Sequence, residues 1–100
     1  MLIWIPVNGE DKKLSKVTPL LTLKKWALVD FDKGEVQSIK FFDTREEFNE
    51  WVDFIILENK FESYIDFMNE GIMVLCVRDE ETIEDIMEAF KFKELDEVGL

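Results

Sequence analysis

Histidine is absent from this 100-residue chain, and that absence excludes the most. Without it there is no Ser-His or Cys-His nucleophile pair, no imidazole acid-base group and no imidazole metal ligand. Cysteine occurs once, as Cys76. A single thiol forms no intrachain disulfide and leaves no CxxC pair for a metal, and it fits a reducing, cytoplasmic setting. Two prolines and four glycines leave no linker or low-complexity stretch, so residues 1–100 read as one domain. Positive charge is scarce: 12 Lys and Arg stand against 23 Asp and Glu, a formal net charge of −11. Nucleic-acid phosphates would repel such a chain. No apolar run approaches the ~20 residues of a membrane span. No basic region precedes an apolar segment at the start, so no signal peptide is expected.

Apolar residues make up 47% of the chain, with nine Phe and three Trp, enough for a core. Residues 51–92 organise it. Residues 53–57 are a short apolar run, and residues 61–70 have helical spacing, with Phe61, Tyr64, Ile65 and Met68 as the sheet-facing stripe. Asn59 is the expected N-cap, with Glu62 three residues on, and Gly71 ends this helix. Residues 72–77 are a second apolar run, which makes Cys76 a small buried residue. Residues 82–92 are helical again: Thr82 and Asp85 form a capping box, and Ile83, Ile86, Met87 and Phe90 the apolar stripe. Two apolar strands joined by a helix make a βαβ crossover, so they run parallel. The acids Glu81, Glu84, Asp85 and Glu88 fall on the outer helix face, as solvated surface.

Earlier in the chain, residues 2–7 are apolar on both alternating faces, as in a central strand. Pro6 cannot donate to a ladder, so pairing should fail on one side near the strand end. Residues 10–25 lack a period and carry Lys12, Lys13, Lys16, Lys24 and Lys25 against only Glu10 and Asp11, one basic loop in an acidic chain. A short helical turn is expected within residues 18–22. Residues 26–31 and 36–42 form a hairpin around Gly34, the second strand an edge because Ile39 and Phe41 alternate with polar residues. Thr44 and Glu47 read as a capping box opening a short helix that carries Phe48, Trp51 and Val52. The sum is an α/β fold: a mixed five-stranded sheet with helices packed on its faces.

Three stretches together resemble the dinitrogenase iron-molybdenum cofactor-binding family. They are residues 1–7 ending Ile5-Pro6-Val7, then Leu14-Ser15-Lys16-Val17-Thr18-Pro19, then Asp30-Phe31-Asp32-Lys33-Gly34-Glu35-Val36. Gly71-Ile72 before a strand, and Glu81-Thr82 before residues 83–90, resemble that family's second half. The resemblance implies a ribonuclease H-like fold. It also implies binding or carrying of iron-molybdenum cofactor, or an iron-sulfur precursor, in nitrogen fixation. Two family features are replaced. Leu20, Leu21 and Thr22 stand where the family places His-Phe-Gly, and Glu58, Asn59, Lys60 and Phe61 where it has a Gly-Gly-x-Gly turn. The His could ligate a metal and the glycines would admit a ligand to the backbone.

Three functions compete on these residues. A metal-cluster carrier would hold an anionic cofactor through Lys12, Lys13, Lys16, Lys24 and Lys25, with no intrinsic metal. A non-catalytic protein-protein interaction module would have kept the fold and lost the cofactor site, its acidic helix face suited to a basic partner. A ribonuclease H-type enzyme needs carboxylates converging on two metals. Asp30 and Asp53 are the strand-end acids, and their placement in the sequence does not favour convergence, so no enzymatic activity is expected.

Overall fold

The strand Leu2–Val7 (β1) buries both faces and becomes the sheet's centre, as its unbroken apolar sequence requires. The computed structural model describes residues 1–99. After β1 come a 3-10 turn (Leu20–Thr22), β2 (Lys25–Asp32), β3 (Glu35–Phe42), a second 3-10 turn (Arg45–Glu47) and β4 (Phe54–Leu57). The helix α1 (Ile65–Asn69), β5 (Met73–Cys76), α2 (Ile83–Lys91) and β6 (Asp96–Glu97) follow. The strand order is β3-β2-β1-β4-β5-β6. β1, β4 and β5 run parallel, as the βαβ reading expects, and the other neighbours are antiparallel. β1 pairs with β4 only through Ile3 and Trp4. Met1 and Phe31 exchange backbone hydrogen bonds, which sets the alternation along β1 and aims the donor that Pro6 lacks toward β4.

Side-chain alternation divides the core between the two sheet faces. Ile3, Ile5 and Val7 of β1 join Val29, Ile56 and Leu75 beneath Ile83, Ile86 and Met87 of α2. Trp4 joins Trp26, Leu28, Ile55 and Val74 beneath Phe67 of α1. Of the capping box expected at α2 one half is seen, with Thr82 Oγ1 accepting from the Asp85 amide. In the hairpin both Lys33 (φ 55°) and Gly34 (φ 77°) are left-handed, the pattern of a two-residue turn that matches strand twist. β3 forms one edge of the sheet.

Three expectations are corrected. Among the described residues the sheet has six strands, not five: Asp96 and Glu97 pair with Cys76 and Leu75. Two exposed acids carry no strand signal, and Val98 beside them is the residue that buries. The helix expected over residues 61–70 shrinks to Ile65–Asn69, with Phe67 turned inward and Phe61, Ile65 and Met68 exposed. Asn59 does not cap it; its Oδ1 accepts from the Phe61 amide and closes a tight turn first. The helix expected after Thr44 is a single 3-10 turn. The Glu47 carboxylate takes the Asp43 and Thr44 amides, and Phe48 then turns extended, with its ring 5.9 Å from Trp4.

Arg45 ties this turn to α1. Its guanidinium donates to both carboxylate oxygens of Glu70 (3.1 and 3.0 Å) and lies 4.8 Å from the Phe67 ring centroid. Lysine cannot reproduce a fork that also stacks. Arg45→Lys is therefore expected to lower stability by about 1 kcal/mol, a value held down by the partly exposed Glu70. Urea denaturation measures it; an unchanged midpoint would mean that the stack carries no stability.

Candidate functional site

The carboxyl ends of β1, β4 and β5 point to one side of the sheet, where open α/β sheets place ligands. Three loops gather there: residues 8–24, 58–64 and 77–82. The first is rigid through its own polar groups. Asp11 accepts from the Lys13 and Leu14 amides (both 2.8 Å), which hold its carboxyl below the usual carboxylate range, the Leu14 bond first. Buried Ser15 accepts from the Asp11 amide, and Asn8 Oδ1 from Lys16 (both 2.9 Å). The Val17 amide donates to the Glu81 carbonyl (2.8 Å), joining this loop to the one before α2. The Leu20 amide donates to Glu62 Oε2 (2.7 Å), joining it to the loop after β4.

That last bond joins Leu20 to Glu62, the residue that follows the segment 58–61. Where His-Phe-Gly would stand, the Leu20 amide is occupied by Glu62, and Leu21 is 98% exposed. Where the Gly-rich turn would stand, Asn59 closes its own turn and Phe61 is 85% exposed, with the Lys60 ammonium 5.5 Å from its ring centroid. The junction thus presents two apolar side chains and no metal-ligand set. Sequence reasoning missed Leu21, Phe61 and Glu62 as a group. Phe61 read as helix stripe and Glu62 as a capping acid, and only a turn signal at Asn59 could have moved them.

The five lysines have different surroundings. The Lys25 ammonium binds Asp43 and lies 3.7 Å from Glu10, and the hydrogen bond to Asp43 raises its pKa. Lys16 lies 3.7 Å from Glu81, both exposed. Lys12 and Lys13 line a groove of about 380 Å³ between the β2–β3 hairpin and α2, which Glu84 and Glu88 also line. Lys24 is exposed. Cys76 is buried, and burial pushes its thiol pKa up, with Asp96 adding to the effect, so the thiolate that would ligate or react is disfavoured. Among the described residues no group of three acids or thiols has a metal-holding arrangement. Asp30 on β2 and Asp53, the residue before β4, stand either side of β1, and Asp53 Oδ2 is taken by the Leu2 amide. No helix among the described residues is long and apolar enough to cross a membrane.

No protein-family model matches the chain, and no curated protein matches it by sequence. Solved structures do. The crystal structure of a "putative dinitrogenase" from Methanocaldococcus jannaschii superposes with a TM-score of 0.71 at 18% identity, covering 96% of this chain and 94% of that one. An NMR structure of a "putative dinitrogenase" from Methanococcus jannaschii gives 0.74 at 19%, covering 100% and 94%. An NMR structure of a "putative NifB protein" from Thermotoga, assigned to the DUF35 family, gives 0.70 at 18%, covering 96% and 91%. Likeness this extensive at identities this low establishes a shared fold: the chain is a mixed α/β sheet built as these proteins are.

Proposed function

We propose that this chain is a non-catalytic binding protein of the ribonuclease H-like, nitrogenase-accessory architecture. It works in the cytoplasm, without a resident metal, and docks a protein partner through the junction of its strand-end loops. One observation carries the reading: Glu62 occupies the Leu20 amide and leaves Leu21 and Phe61 facing solvent. Two large apolar side chains on a hydrogen-bonded, preorganised junction suit the anchor role that buried interface residues play. Lys24 and Lys60, both exposed near these anchors in the sequence, favour an acidic rim on the partner. This reverses the polarity expected from the acidic helix face.

A second reading rests on a separate observation. Lys12 and Lys13 line the groove beside α2, and the structural neighbours carry dinitrogenase and NifB descriptions. In that reading the chain carries iron-molybdenum cofactor or an iron-sulfur precursor by charge. Crosslinking in native extract, compared between wild type and Leu21→Asp/Phe61→Asp, tests the first reading. One discrete partner is expected to be lost from the variant while Lys13→Glu/Lys16→Glu retains it. Retention by the apolar variant overturns the docking junction. Anaerobic titration with an anionic iron-sulfur cluster at two salt concentrations tests the second. Saturable binding at low salt that the lysine reversals abolish would establish the carrier instead.

A further inference from the structure

At the opposite end of the sheet from those loops lies a groove of about 530 Å³. It opens where the parallel strands begin: Phe54 and Met73, the first residues of β4 and β5, both line it. The cause is the length of α2. Nine residues cover only part of the sheet face: Phe31 and Leu75 are buried in the core beside α2 and reach the groove only at their rims, whereas Phe54 is half-buried where it lines the groove. The Phe90 ring lies edge-on to Phe31 (5.4 Å between centroids) and to Phe54 (5.0 Å), forming a packed apolar wall. Met73 is 53% exposed along the groove. Its volume is in the range of small-molecule sites.

Two cations stand at this apolar wall. Lys91 and Lys93 line the groove, Glu97 is the one acid that does, and neither lysine is ion-paired among the described residues. In a chain of net charge −11 this is a local reversal of field. The placement of Lys93 adds a backbone argument. The Lys93 amide bonds the Phe90 carbonyl, and the Glu94 amide bonds the Ala89 carbonyl. Together they make a Schellman cap with Lys93 at the left-handed position (φ 58°), where glycine is the usual and unstrained occupant. The cap also occupies carbonyls that would otherwise repel an anion at the C-terminus of α2.

We propose that this groove is a binding site for an alkyl carboxylate, a fatty-acid-like amphiphile. The chain lies along Phe54, Met73, Phe90 and Leu95, and the carboxylate meets Lys91 and Lys93. Decanoate is the probe, titrated into the protein and followed by NMR shifts of the Met1, Met73, Leu75 and Leu95 methyls. Saturable shifts confined to these methyls are expected, with decyltrimethylammonium failing to produce them. Lys91→Gln/Lys93→Gly should weaken decanoate by about tenfold. Lys93→Gly alone should raise the denaturation midpoint, because glycine fits the left-handed position, so lost affinity in the double variant cannot be lost folding. The site is overturned by decanoate shifts scattered over the surface, by equal binding of the cationic amphiphile, or by affinity unchanged in the double variant. Concentration-dependent shifts of the same methyls without ligand would overturn it too, by assigning the groove to a second copy of the chain. None of these readouts depends on the strand-end loops.

Discussion

Trp4→Ala is expected to lower the unfolding free energy by about 3–5 kcal/mol, the range for deleting a buried aromatic side chain. Total stabilities of single domains are about 5–15 kcal/mol, so the variant stands near its unfolding threshold. Trp4 is 2% exposed on the central strand. Its ring makes edge-on contacts with Trp26 (5.9 Å), Phe42 (5.7 Å) and Phe48 (5.9 Å), so alanine leaves a cavity bounded by three rings. Those rings come from β2, β3 and the segment after the 3-10 turn at Arg45. They cannot all close on the space without breaking the β1–β2 register, in which Trp4 faces Leu28. Trp51, 60% exposed, supplies the control: Trp51→Ala should cost far less. Urea midpoints of both variants, with unchanged slopes, decide the matter, and similar losses would refute the central place of Trp4.

How much of this was legible in the sequence depends on which forces wrote each segment. β1, β4 and β5 are buried on both faces, so composition alone marks them, and their parallel run follows from the crossover helix between the last two. The hairpin is marked by Lys33-Gly34, where the backbone needs two left-handed residues. The α1 region misleads because its apolar residues include Phe61 and Ile65, which do not face the sheet. Apolar spacing marks a helix face only when the apolar residues are the buried ones. Here a side-chain bond from Asn59 and a long-range bond from Glu62 decide the local path, and a periodicity argument sees neither. β6 is illegible for a related reason, since its strand residues are acids held by pairing with β5. For the candidate site, the lysines were legible and the acids beside them were not. A run of lysines in sequence says nothing about which acids fold beside them, and Glu10, Asp43 and Glu81 answer two of the five.

The second large effect lies on α2. Ile83→Ala is expected to cost about 2–5 kcal/mol, and Glu84→Ala, one residue on, to stay within about 0.5 kcal/mol of wild type. Ile83 is fully buried in the cluster with Ile3, Ile5 and Ile56, whereas Glu84 is exposed. The contrast between adjacent positions isolates helical phase, because both substitutions put alanine into the first turn of the same helix. Propensity favours alanine at both positions and so cannot produce the difference. Ile83 also directly follows Thr82, whose hydroxyl caps the helix and whose backbone bridges Lys16. Loosening Ile83 therefore also loosens the seam between α2 and the loop that carries the lysines. Amide exchange should report this as faster exchange at Val17, whose amide donates to Glu81 across that seam. Phe90, only half-buried, should fall between the two: its alanine variant loses the contacts to Phe31 and Phe54 but leaves a space already open to the groove. The expected order of denaturation midpoints is Glu84→Ala highest, Phe90→Ala next and Ile83→Ala lowest. Glu84→Ala as the worst of the three would mean that α2 meets the sheet through another face.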